Sequence, residues 1–221
     1  MAEWVGGIEF MRKQLVVAVA AVLLIGVSAA VIYRTQFEAA SPEATRLPEG
    51  VGMVAAEEGV RLAGAGGKVL LILPKRGSYQ DPAVEIQRAA FAKGVEQGGK
   101  VTLLPVEWLE TERPGTMGAG GVDAGEFLGI IRRHGEAKVV VTLTGFPELS
   151  ADALAELRGK KFVMTGTRGA QLKRLLETDV VQVAIVPRVN PVATTDRPKS
   201  AREWFRRSYE VVTAANANAL P

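Results

Sequence analysis

Five short apolar runs recur along the chain: Val69–Leu73, Lys100–Pro105, Lys138–Thr144, Lys161–Thr165 and Gln182–Pro187. Val69–Leu73 is too short for a buried helix and is apolar on both faces, as a central parallel strand is. After each run comes a polar break, and then a helical or irregular stretch. Asp81 and Pro82 open the first helix, Asp81 as N-cap and Pro82 as first helical residue. That helix, Ala83–Gln97, brings Ala83, Ile86, Ala90, Phe91 and Gly94 round at 3.6-residue spacing. Asp123 with Glu126 starts a second, which buries Phe127, Ile130 and Ile131 and ends in Arg132-Arg133-His134-Gly135. Ser150 caps Ala151–Arg158, and Gly166 or Thr167 opens Gly169–Glu177. Ser200 and Glu203 form a capping box before a last helix, with Trp204, Phe205, Ser208, Tyr209 and Val212 on its apolar face and Arg202, Arg206 and Arg207 largely opposite. Val106–Asp123, glycine-rich at Gly115–Gly121, reads as irregular.

Repeated strand-then-helix units specify an α/β fold, a three-layer sandwich with right-handed crossovers. The five strands form a parallel sheet in the order 2-1-3-4-5, which sets the first strand beside the third and creates a switch point at their carboxyl ends.

Ahead of this domain the pattern changes. Leu15–Tyr33 carries no charge over 19 residues, enough to cross a bilayer as a helix, with Arg12 and Lys13 before it and Arg34 after it. The expected organisation is an N-terminal tail at 1–13, a transmembrane signal anchor at 14–34, a flexible tether at 35–67 in which Met53–Leu62 could form one short helix, and the α/β domain at 68–221. Cleavage near Ser28–Ala30 would instead release a secreted domain. In either case the domain lies outside the cytoplasm, the anchored form in a bacterial-type inner membrane with the domain on the periplasmic side.

Composition narrows the chemistry. There is no cysteine and one histidine, so thiol chemistry, zinc-thiolate sites and His-rich metal sites are excluded. His134 is accounted for as part of a cationic helix C-terminus. The 27 basic and 24 acidic residues are interspersed, which argues against a nucleic-acid binder. No phosphate loop, nucleophile elbow or metal-ligand cluster is present, so no cofactor, metal or catalytic residue is expected. Asp81 is the one carboxylate set squarely at the carboxyl ends of the strands, and it is better explained as a cap.

From Lys68 to Pro187 the chain resembles one lobe of the type I periplasmic substrate-binding proteins, whose fold the ligand domains of lactose-repressor-type regulators share. The resemblance rests on KVLLILP, the loop leading into a proline-started helix, AAFAKGVEQGGKVTLLP, VVVTLTG and KFVMTGTRG. It implies that loops after the first and fourth strands contact a small ligand, through Tyr79, Gln80 and Asp81 in one and Thr167 and Arg168 in the other. Gly145 and Phe146, which end the third strand, complete the candidate ligand site. Two departures stand out: Thr167 replaces the aspartate that often precedes the arginine, and Ala83-Val84 replaces an aromatic pair. The chain also has room for only one lobe. The expected role is therefore a non-enzymatic, membrane-anchored accessory or scaffold subunit, held in lipid through Leu15–Tyr33 beside a membrane-protein partner. The alternative is a periplasmic binding protein for a sugar or amino acid in transport or sensing.

Overall fold

The computed structural model describes Ser28 and residues 42–75, 77, 81–111, 121–166, 169–191 and 197–219. The chain divides into two compact units, Met1–Ser41 and Pro42–Pro221, and the fold is that of the second. The expected membrane span falls in the first unit and, apart from Ser28, outside the described residues. Among the described residues no helix is long and apolar enough to cross a membrane.

The elements in chain order are α1 (Pro42–Ala63), β1 (Lys68–Lys75), α2 (Pro82–Gln97), β2 (Thr102–Leu103), β3 (Glu107–Glu110), α3 (Ala124–Arg133), β4 (Val139–Thr142), α4 (Ala151–Glu156), β5 (Lys161–Thr165), α5 (Ala170–Glu177), β6 (Val183–Pro187), α6 (Ala201–Ser208) and β7 (Tyr209–Val212). A 3-10 helix, Ala214–Ala219, follows. The sheet has seven strands in the order β2-β1-β4-β5-β6-β7, with β3 also paired to β1. The five predicted strands keep their expected order and are parallel. Because β1 is central, Ile72 pairs with Thr142 on one side and Glu107 on the other.

Side chains alternate across β1, so each face of the sheet has its own core. Leu70 and Ile72 join Phe127, Ile130, Val140, Phe162, Leu172 and Leu176 under α3 and α5. Val69, Leu71 and Leu73 face the other way, onto Val54, Ala55, Phe91, Val141 and Phe205 of α1, α2, β4 and α6. This is the expected three-layer sandwich. The predicted caps form as well: the side chains of Asp81, Asp123, Ser150 and Ser200 accept from the backbone N–H groups of Ala83, Glu126, Ala153 and Glu203.

Three expectations are corrected. The flexible tether at 35–67 is instead helical over Pro42–Ala63, and Val51, Val54, Ala55, Ala56 and Ala63 of α1 are buried in the core. Its seam is built of Val, Ala and Gly, so the apolar stripe is too weak to show as a 3.6-residue period. Part of the stretch read as irregular forms β3, which continues the edge of the sheet after Pro105 interrupts it. The last helix stops at Ser208, and Tyr209–Val212 pairs antiparallel with β6. Arg188 fixes that switch: its Nε donates to the carbonyls of Arg206 (2.8 Å) and Tyr209 (3.1 Å), and its guanidinium pairs with Glu210 at 3.0 Å.

At the edge of the sheet, Glu107 of β3 meets His134 Nε2 at 2.7 Å and Arg133 at 3.1 Å. Burial alone would raise the Glu107 pKa, but hydrogen bonds and charge from His134 and Arg133 outweigh it and hold the carboxyl below its usual 4.5. A depressed carboxylate contributes stability above its unfolded-state pKa and loses it as pH falls through the folded-state value. Glu107→Gln is therefore expected to lower Tm at neutral pH, and the gap from the parent should close in melts taken progressively below pH 4.5. A gap that stays constant with pH would assign the effect to packing.

Candidate functional site

The carboxyl ends of β4 and β5 frame the site. Thr142, where β4 ends, is fully buried. Its hydroxyl lies 2.7 Å from Thr144 Oγ1 and donates to the Gly145 carbonyl at 3.0 Å. This hydroxyl tie folds the chain back sharply at the strand end. Gly145 takes φ +92 there, a left-handed conformation that suits glycine. The next residue, Phe146, is half-buried and packs edge-on against Phe127 and Phe162, with ring centroids 5.4 Å away in both cases.

Beyond this aromatic cluster lies a cavity of about 350 Å³, walled by Thr144, Gly145, Phe146, Met164, Gly166 and Gln171. It opens where α5 begins, and the Gly169 N-cap of that helix makes no side-chain capping bond. The cavity therefore combines a half-buried aromatic ring, a hydroxyl, a carboxamide and the amino end of a helix.

The predicted site residues divide three ways. Gly145 and Phe146 line the cavity. Asp81 does not: its carboxylate accepts from Ala83 N at 2.9 Å and caps α2. Tyr79, Gln80, Thr167 and Arg168 lie outside the described residues, although Gly166 and Gly169, on either side of the last two, both border the cavity. Sequence reasoning missed Thr144, Met164 and Gln171. The available signal was positional, since each sits at a strand's carboxyl end or in the first turn of the helix after it. Among the described residues no group of three His, Cys, Asp or Glu is placed to hold a metal.

A larger cavity of about 530 Å³ lies at the opposite end of the sheet, beside Arg158, Lys160, Lys161, Asp179 and Gln182. Its polar groups mostly serve the fold. Lys160 Nζ donates to the carbonyls of His134 (3.3 Å), Gly135 (2.9 Å) and Ala137 (3.0 Å), and burial lowers its pKa while Glu136 opposes that shift. Gln182 accepts from Phe162 N at 2.6 Å and donates to the Asp179 carbonyl at 2.7 Å. Open α/β sheets bind ligands at the carboxyl ends of their strands, so the smaller cavity is the candidate.

No protein-family model matches the chain, and no curated protein matches it either. Solved structures do. An arabinose-binding protein from Geobacillus stearothermophilus superposes with a TM-score of 0.54 at 14% identity, over 79% of this chain and 63% of that one. A LacI-type transcriptional regulator from Bacteroides fragilis gives 0.55 at 11% identity, over 78% and 61%. A sugar-binding protein of a sugar ABC transporter from Bacillus halodurans gives 0.53 at 11% identity, over 79% and 64%. The chain thus spans less than two thirds of the length of each. At these identities the likeness is one of fold: the chain has a fold like that of the type I periplasmic binding proteins.

Proposed function

We propose that this chain is a non-enzymatic, extracytoplasmic binding lobe that takes a small polyhydroxylated ligand of the sugar class at the carboxyl ends of β4 and β5. The observation that carries the reading is the cavity beside Phe146. An aromatic ring suits the apolar face of a pyranose, and Thr144 and Gln171 offer the hydroxyl and amide groups that pair with sugar hydroxyls. The solved structures of this fold include proteins named for arabinose and sugar binding, which favours the small-molecule role over the scaffold role expected from the sequence. In this reading Leu15–Tyr33 anchors the lobe to a membrane, and Tyr79, Gln80, Thr167 and Arg168 are further candidate ligand contacts.

The test is a thermal-shift screen of the full chain against sugars, amino acids and nucleotides. A sugar at a hundredfold excess over its Kd should stabilise the fold by about 2.7 kcal/mol. Gln171→Ala, at an exposed position, should reduce that shift while leaving the unliganded Tm nearly unchanged. If no compound shifts Tm and the full chain co-purifies with a membrane protein, the scaffold reading takes its place.

A further inference from the structure

We infer that the basic outer face of α6 is a docking surface for anionic lipid headgroups. The inference rests on the membrane-anchor reading of Leu15–Tyr33. Between Arg197 and Arg207 there are five basic residues (Arg197, Lys199, Arg202, Arg206, Arg207) and one acidic residue, Glu203. Arg197, Lys199 and Arg206 are exposed. The Arg207 guanidinium lies 5.9 Å from the centre of the buried Trp204 ring, which directs its stem along the helix surface. Arg202 is paired with Glu57 of α1, which leaves the basic excess to the other four.

The packing of α6 on α1 sets where this face lies. Arg202 pairs with Glu57, whereas Phe205 lies over Gly50, where an added Cβ would come within 3.0 Å of it. A Cβ at Gly50 would also meet the Ala201 carbonyl, so α6 crosses α1 near Gly50, in the half of α1 towards its amino end. That end is where the chain arrives from the apolar stretch. Only eight residues, Arg34–Ser41, separate Tyr33 from α1. Fully extended they reach about 28 Å. From Pro42 to Gly50 the helix adds about 12 Å. A lobe tethered within that reach has a high effective concentration at the bilayer surface, and headgroup charge then acts on it within about one Debye length of contact. Each basic residue brought to an anionic surface is worth about 1 kcal/mol, or about fivefold in binding constant.

The chain has no cysteine, so Ser208→Cys gives a single dye position beside Arg207. The labelled full chain is mixed with vesicles of phosphatidylcholine alone, or of phosphatidylcholine with phosphatidylglycerol, each carrying a lipid acceptor dye. Flotation on the neutral vesicles tests the anchor separately. Energy transfer should be higher with phosphatidylglycerol, fall with added salt, and lose its lipid dependence in Arg206→Glu/Arg207→Glu. Arg206→Lys/Arg207→Lys should retain it, since the attraction is one of charge. Melts of both variants check folding, and Arg206→Glu alone, at an exposed site, should lose about fivefold or more of the phosphatidylglycerol effect. Equal transfer on both vesicles, or lipid dependence that survives charge reversal, overturns the proposal. If the chain fails to float on neutral vesicles but binds phosphatidylglycerol through Arg206 and Arg207, the docking surface stands and the anchor reading falls.

Discussion

A fragment that begins at Gly67 is expected not to fold, whereas one that begins at Pro42 should melt in a single cooperative transition. The difference between them is α1. Removing it strips Val51, Val54, Ala55, Ala56 and Ala63 from the core and exposes the side of the sheet formed by Val69, Leu71, Val141 and Val163, together with Phe91 of α2. Each large apolar side chain left uncovered forfeits about 1.5–3 kcal/mol. A domain of this size has about 5–15 kcal/mol in total, so four or five exposed side chains, at about 6–15 kcal/mol, cancel it. Circular dichroism melts of the two fragments decide the matter. A Gly67 fragment with a cooperative melt would show that α1 is an accessory layer and not part of the core.

Gly52→Val and Gly94→Val should each cost about 3 kcal/mol, at the upper end of what overpacking does. Along α1, Gly52, Ala56 and Val60 meet Gln87 and Gly94 of α2 and its C-cap Gly98 in turn. A Cβ at Gly52 would overlap the Gln87 carbonyl, and one at Gly94 would lie 2.6 Å from Ala56 Cβ. The obstacle in the first case is helical backbone, which cannot swing aside as a side chain does. The helices must separate, and Phe91 between them loses its contacts. The same glycine-to-valine change is not costly everywhere. At Gly129 of α3 a Cβ would meet only the flexible Arg133 guanidinium, at 3.9 Å. Gly129→Val should be close to neutral, since valine is if anything the better helix former. Urea unfolding of the three variants separates close packing from propensity, and equal losses at positions 52, 94 and 129 would contradict the packing argument.

What was legible in the sequence was whatever is encoded locally. Strand β1 showed itself through five consecutive apolar residues, and the helix starts through Asp81, Asp123, Ser150 and Ser200, because a cap is a contact over two or three residues. Strand order followed from handedness and from the need to bury both faces of Val69–Leu73. Helix α1 showed only as a possible short helix over Met53–Leu62, since its contact surface is made of Gly52, Ala56 and Val60 and matters only once α2 lies against it. Nor did β3, whose Glu107-Trp108-Leu109-Glu110 alternates weakly and gains its strand identity from pairing with Ile72–Lys75. Tyr209–Val212 suited a helical apolar face and a strand equally, and Arg188, 21 residues upstream of Tyr209, settles the choice. At the site, Gly145 and Phe146 could be named because a strand visibly ends there. Thr144, Met164 and Gln171 converge only in three dimensions, from the carboxyl ends of two strands and the first turn of a helix.

The central claim is that ligand enters at the carboxyl ends of β4 and β5. Methyl-resolved NMR tests it most directly, because the two cavities carry different reporters. Met164, Leu172 and Leu175 border the cavity beside Phe146, and Leu154, Leu157 and Val180 border the one at the other end of the sheet. On titration with the sugar that gives the largest thermal shift, Met164, Leu172 and Leu175 should move together along one saturating curve while Leu154, Leu157 and Val180 stay still. Saturating shifts at Leu154, Leu157 and Val180, or none at either end, would contradict it.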